Sequence, residues 1–253
     1  MKISDTLSPS YDELMSTGIR QLNAGPDFLA AAKTFVLAVN STKDRQQRAD
    51  AQQQLGLAYT KAGKLKKAEQ ALNCAAIDAI VLGNEVQDAD IKRDRAWVYL
   101  MRYQRNPLAR FIGKEHLEEA NDLLLESWEI LSRLDEFEKA AVSQSYLGRI
   151  QVLASNFRTA TIILDDMEDE IVSGESPNPT YLLNLRMWRL RATQNKAERR
   201  LLLQDILPLI EQTGQTSRYL EIKVIMFGGE RLYRVLQWIP APVERLIRKI
   251  LGK

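Results

Sequence analysis

His116 and Cys74 are the only residues of their kinds in a chain of 253 residues. A zinc site needs three or four His, Cys or carboxylate ligands, and a thiol nucleophile needs a base within reach. His116 stands in Gly113-Lys114-Glu115-His116-Leu117-Glu118-Glu119, a polar helix start, and is expected at the surface or in a capping role. Cys74 lies in Leu72-Asn73-Cys74-Ala75-Ala76 beside an apolar stripe. It is expected to be a small buried residue rather than a reactive thiol. The densest carboxylate run is Asp165-Asp166-Met167-Glu168-Asp169-Glu170. It would attract a divalent cation, but it lacks the glycine-containing spacing of a calcium loop and reads as a solvated acidic helix face. Gly228-Gly229 is too little to cradle a phosphate. These residues predict no enzyme, no cofactor and no metal.

The elements that carry them are helical. Apolar residues make up 45% and charged residues 27%, the balance of a globular protein with a sizeable core. Twelve Gly and eight Pro are few for this length, and strong helix formers dominate. No segment alternates with period two, so no sheet is predicted. Ser8-Pro9 has the form of an N-cap with a first-turn proline, and Gly63 and Gly83 stand where helices should end. The stretch from Ser173 to Pro179 is the clearest loop. A single cysteine allows no internal disulfide, which is compatible with a reducing compartment. Met1-Lys2-Ile3-Ser4-Asp5 opens no apolar leader, and no apolar run is long enough to cross a bilayer. The expected location is cytoplasmic. A net charge of +2 gives little pull toward nucleic acid.

The chain also repeats itself. Residues 49–82 read as two amphipathic helices joined by Ala62-Gly63-Lys64, the first with Leu55, Gly56 and Tyr59, the second with Ala68, Leu72 and Ala75. Gly56 and Ala68 would let two antiparallel helices approach, with the larger residues filling the space around the contact. Leu147-Gly148 followed by Ala160 and Leu164 keeps the same internal spacing. Gly18 followed by Ala31, Phe35 and Ala38 does so with one residue more. Ala96 and Tyr99 copy Gly56 and Tyr59, with a partner helix over Leu117 to Leu134 that turns Ala120, Leu124 and Trp128 inward. A fifth pair is marked by a helix over Tyr181 to Arg191 and by Ala197 and Leu201.

This pattern resembles the tetratricopeptide repeat (TPR) family over roughly residues 9 to 212, departing from it at Gln52 and at Ile80, where the family has a large residue and a proline. The resemblance implies an all-α fold of antiparallel hairpins stacked as a right-handed superhelix, over residues 1–212. It also implies a concave groove lined by the first helix of each hairpin. The corresponding positions are Met15, Ile19 and Asn23; Gln53, Leu57, Thr60 and Lys61; Arg93, Trp97 and Met101; Ser145 and Arg149; and Arg186 and Arg189. Apolar anchors mixed with guanidinium groups suit an extended or helical peptide of some acidic character. Met15 and Ile19 cannot grip a chaperone's terminal carboxylate, as some members of the family do.

The last 25 residues differ. Six basic residues face only Glu230 and Glu244, and Pro240-Ala241-Pro242 separates two apolar stripes. Residues 213–239 read as a capping helix, and residues 240–253 as a short basic amphipathic helix. Trp238, Arg245, Arg248 and Lys249 would meet an anionic membrane surface or a partner protein. The expected function is a non-catalytic adaptor that binds a peptide or protein. The alternatives are a peripheral membrane protein held by this helix and a peptide-responsive regulatory sensor.

Overall fold

The computed structural model describes residues 9–106, 114–173, 178–219, 221–223 and 225–226. Among them ten α-helices follow in order: α1 (Tyr11–Ala24), α2 (Phe28–Ser41), α3 (Arg45–Lys61), α4 (Leu65–Leu82), α5 (Glu85–Arg105), α6 (Lys114–Arg133), α7 (Phe137–Leu153), α8 (Phe157–Ser173), α9 (Pro179–Ala192) and α10 (Lys196–Thr213). The described residues contain no strand. The chain divides into two compact units, the first ending at Ser143 and the second beginning at Gln144, a division that falls within α7.

In the first unit each helix packs on the next, from α1 to α6. The first helices of successive hairpins also meet, α1 with α3 and α3 with α5. Small residues set the approach within a hairpin. A Cβ on Gly56 would stand 2.5 Å from Leu72 Cγ, and one on Gly18 would stand 2.6 Å from the Phe35 ring. In the second unit a Cβ on Gly148 would stand 2.7 Å from Leu164 Cδ2. Leu72, Phe35 and Leu164 are all fully buried. The three glycine-centred pairs read from the sequence are therefore three helix crossings. Ala96, Ala120 and Leu124 are fully buried as well.

The turns repeat too. Gly63 takes a positive φ, and the N–H groups of Gly63 and Lys64 return to the carbonyls of Thr60 and Tyr59. Gly83 and Asn84 do the same toward Ile80 and Ala79. Asp135 and Ser155, at φ 58 and 68, close the ends of α6 and α7 with the same pattern of bonds and no glycine. This is the common way of satisfying the last carbonyls of a helix.

In the second unit Leu183, Met187 and Leu190 of α9 pack on Leu202, Ile206 and Ile210 of α10. Ile222 and Ile225, in the helical residues that follow, bury against the same cluster. The rest of the segment read as a capping helix lies outside the described residues. So do the basic C-terminal helix and its Trp238, Arg245, Arg248 and Lys249.

Several expectations need correction. The cap of α1 is Ser10, whose Oγ accepts from Glu13 N–H while the Glu13 carboxylate accepts from Ser10 N–H; Ser8 lies outside the described residues. Cys74 is exposed, because α4 turns Ala68, Ala71, Leu72, Ala75, Ala76 and Ala79 inward. Trp128 is 37% exposed, and its neighbour Ser127 is buried, hydrogen-bonded at 2.9 Å to the buried Ser143. Leu201 is 62% exposed, and Leu202 takes the inward place.

Candidate functional site

The first-helix face of the first unit is held together by polar side chains. Gln53 Nε2 on α3 donates to Asp94 Oδ2 on α5 at 2.8 Å. Gln46 donates to Gln87 at 2.8 Å, and Gln87 to Asp50 at 2.7 Å. Tyr11 on α1 donates its hydroxyl proton to the Gln47 carbonyl at 2.8 Å. Gln53 thus fixes α3 against α5. Burial pushes the Asp94 carboxyl up to about 6, against the pull of Arg93 and of its bond from Gln53.

The other predicted groove residues have mixed placements. Leu57 packs on the cluster of Leu22, Phe35 and Ala58. Thr60 is buried and donates its hydroxyl proton to the Gly56 carbonyl. Met15 also packs on core clusters, and Ile19 and Asn23 are exposed. Lys61 is exposed, its Nζ 5.8 Å from the Phe28 ring centroid. Arg93 pairs with Asp90 at 2.7 Å. Trp97 and Met101 are half-buried.

In the second unit, Ser145 is half-buried on α7. Arg186 and Arg189 on α9 are engaged by α8. Arg186 Nε donates to Glu168 Oε1 at 2.8 Å, while Arg189 bonds Glu168 and pairs with Asp165 at 2.5 Å. Glu168 is only 8% exposed. The carboxylate run is therefore not a uniformly solvated face, because two of its members neutralise the arginines of the next hairpin.

Arg149 has a different environment. Its guanidinium carbon lies 4.6 Å from the Tyr146 ring centroid and 4.8 Å from that of Trp188 on α9. Arg191 lies over the same Trp188 ring at 4.1 Å. Arg191 bonds Glu221, which also accepts from Arg218 at 2.7 Å. Burial, with Arg191 and Arg218 close by, lowers the Arg149 proton affinity. Its Nε is buried without a hydrogen-bond partner. Burial would raise the Glu221 carboxyl, but Arg191 and Arg218 outweigh it and hold the carboxyl below the usual range.

No family model matches the sequence, and no curated protein matches it. Solved structures do. One contains nearly identical TPR-like repeats of a Podosopora anserina chain described as a kinesin light chain. It is 16% identical with a TM-score of 0.60, over 81% of this chain and 96% of that one. A second structure of that description gives 16% and 0.56, over 81% and 95%. BtubC (BKLC) from P. vanneervenii gives 16% and 0.57, over 86% and 81%. The chain has a TPR-like helical-repeat fold. At this identity the likeness is one of fold.

The TPR-like pairing of α7 with α8 and α9 with α10 makes α7 and α9 first helices, the elements that bear Arg149 and Trp188. Tyr146, Trp188, Arg191, Arg218 and Glu221 are absent from the sequence reading of the groove. Their trace is an aromatic-x-x-Arg spacing on a helix, in Tyr146 to Arg149 and in Trp188 to Arg191. Tyr99 and Arg102 share it, and Arg102 lies 5.3 Å over the Tyr99 ring while bonding Glu69 at 2.5 Å. Three positions apart on a helix is one face. Among the described residues no cluster of His, Cys, Asp and Glu is arranged to hold a metal, and no helix is long and apolar enough to cross a membrane.

Proposed function

We propose that this protein is a non-catalytic interaction module, an adaptor that holds a peptide or protein segment against the first helices of its hairpins. The observation that supports the reading is the composition of that face in the first unit. Exposed Ile19 lies on α1, and exposed Lys61 and half-buried Trp97 lie on α3 and α5, whose spacing is set by the Gln53–Asp94 bond. A face whose helices are already fixed loses little conformational freedom when a partner docks. Gln46, Asp50, Gln53, Gln87 and Asp94 are bonded among themselves, and Ile19, Lys61 and Trp97 remain as contact area.

Photo-crosslinking tests the reading. A photoreactive amino acid is placed at Lys61 or Trp97, on the first helices, and at Leu37 or Ile80, exposed residues of the second helices. The expected result in native lysate is one protein crosslinked from Lys61 and Trp97 and not from the other two. Crosslinks only from Leu37 and Ile80, or none at any position, would count against it.

A further inference from the structure

The outward faces of α4 and α6 carry opposite charge, each beside exposed apolar side chains. α4 exposes Lys66 and Lys67 in its first turn and Ile77, Ile80 and Val81 further along, Ile77 at 62% and Val81 at 58%. It exposes no carboxylate: Glu69 is half-buried and accepts from Arg102, and Asp78 is buried and accepts from Arg48. α6 exposes Glu115, Glu118, Glu119 and Asp122 in its first half, against Lys114 alone. Exposed Leu125 and Trp128 follow. Both helices pack on α5, and among the described residues they do not touch each other. Tyr99 of α5 sets their register. Its hydroxyl bonds Glu69 of α4 at 3.2 Å, and its ring centroid lies 6.0 Å from that of His116 of α6. Glu69 and His116 are therefore level. α6 runs antiparallel to α5, since Lys92 meets Glu126 and Glu85 meets Arg133. α4 does so too, since Glu69 meets Arg102 near one end of α5 and Gly83 and Asn84 turn tightly at the other. α4 and α6 thus run the same way. At equal rise per residue, Ile77 is level with Leu125 to within a residue, and Val81 with Trp128. Lys66 and Lys67 lie within about one turn of Glu115.

We propose that a second copy of this chain docks on this face, α4 of each copy lying along α6 of the other in a two-fold symmetric dimer. A two-fold axis parallel to the two helices and midway between them lays α4 on the second copy's α6 without reversing or sliding either helix. Residues that are level within one chain are then level across the contact. Ile77 and Val81 meet Leu125 and Trp128 of the second copy, and Lys66 and Lys67 meet its Glu115 and Glu118. The contact forms twice, once on each side of the axis, and closes, as an isologous interface does. Charge selects the occupant. An anionic bilayer would attract Lys66 and Lys67 and repel the carboxylates of α6 beside them. A second copy matches both halves, and it covers aliphatic side chains otherwise left in water. The first-helix face stays free, so the dimer does not depend on the adaptor reading.

Sedimentation of the full chain over a concentration series tests the proposal. The parent is expected to sediment as a dimer that dissociates on dilution. Ile77→Glu should raise the dimer Kd roughly tenfold or more, and so should Lys66→Glu with Lys67→Glu, or Glu115→Lys with Glu118→Lys. All four charge changes together should restore the dimer, because the signs are then exchanged on both helices. A parent that is monomeric at every concentration, a dimer that survives Ile77→Glu, or a four-charge variant that stays monomeric would overturn the proposal. A disulfide trap reads the same contact without new charges. In a Cys74→Ser chain, Val81→Cys and Trp128→Cys together should give a covalent dimer on oxidation, and either alone should not. A dimer trapped by Val81→Cys alone would set α4 against α4 and overturn the pairing, as would no trapping with both cysteines present. A photoreactive residue at Ile80 then captures a second copy, distinct from the protein captured at Lys61 and Trp97, so this dimer and the adaptor reading can fail separately.

Discussion

Asp94 is buried between α3 and α5 and bonded by Gln53, and its burial raises the carboxyl to about 6 from an ordinary 3.8. A carboxylate whose folded affinity for protons exceeds the unfolded one stabilises the fold when protonated and costs stability when ionised. The sign is thus opposite to that of Asp78 and Glu69, which Arg48 and Arg102 hold below the usual range. Those two contribute stability above pH 4 that is lost on acidification. Asp94 makes its contribution below pH 4, and that contribution is lost as the pH rises through 6. The displacement corresponds to about 3 kcal/mol by pH 8. Asp94→Asn keeps an acceptor for Gln53 and removes the ionisation. The expected outcome is a variant more stable than the parent at pH 8 by about 1–3 kcal/mol, the gain shrinking toward pH 4. Urea melts of both proteins at pH 4.5 and pH 8 measure it. A gain that is equal at the two pH values would mean that the proton plays no part.

Helices and their crossings are the level at which most of the fold is legible. The spacing from Gly56 to Ala68, Leu72 and Ala75 describes a contact in which no Cβ fits on one side and a buried Leu fills the other, so residue size alone locates it. The same holds for Gly148 with Leu164 and Gly18 with Phe35. Legibility fails where size and polarity point different ways. In α4 the inward residues are mostly alanines, and the larger Ile77, Ile80 and Val81 face outward with Cys74. Hydropathy then misplaces the face. Ser127 displaces Trp128 from the interior because its hydroxyl finds Ser143, a partner 16 residues away that no local pattern reveals. The Arg149 cluster is illegible for the same reason, since it joins α7, α9 and residues 218 and 221, while only the aromatic-x-x-Arg spacing is local. Gly56 gives the element-scale test. Alanine there gains about 1 kcal/mol of helix propensity but puts a methyl group 2.5 Å from Leu72 Cγ. Overpacking of that kind costs about 1–3 kcal/mol, so Gly56→Ala should destabilise by roughly 1 kcal/mol despite the better helix former. Leu72→Ala alone should cost about 2–5 kcal/mol. The double variant should cost less than the sum by more than about 0.5 kcal/mol, because the clash disappears with the leucine. Denaturant melts of the four proteins decide it, and strict additivity would mean that the two residues do not share the crossing.

A repeat fold distributes its stability over contacts between neighbours rather than over one central core. The first unit fits that description. Its clusters draw on residues from Tyr11 to Ala140. Its ion pairs and polar bonds, Arg48 with Asp78, Gln53 with Asp94, Arg102 with Glu69 and Arg133 with Glu85, close within it. α6 obtains its cover from the start of α7, through Ala140 on Leu131 and Ser143 on Ser127. A fragment of residues 1–156, which keeps α7 whole and the turn bonds of Ser155 and Asn156, should therefore fold by itself. It should give a helical circular dichroism spectrum and a cooperative urea transition, and Gly56→Ala should shift its stability by the same roughly 1 kcal/mol as in the full chain. Ending the fragment at residue 136 removes Ala140 and Ser143, strips the cover from Leu131 and leaves the Ser127 hydroxyl unpaired. It should melt at lower urea than the longer fragment, by about 2 kcal/mol or more. If the 1–156 fragment instead unfolds without cooperativity, stability is not local to neighbouring helices, and the description of this chain as a stack of hairpins, each supported by the next, fails at the scale of the molecule.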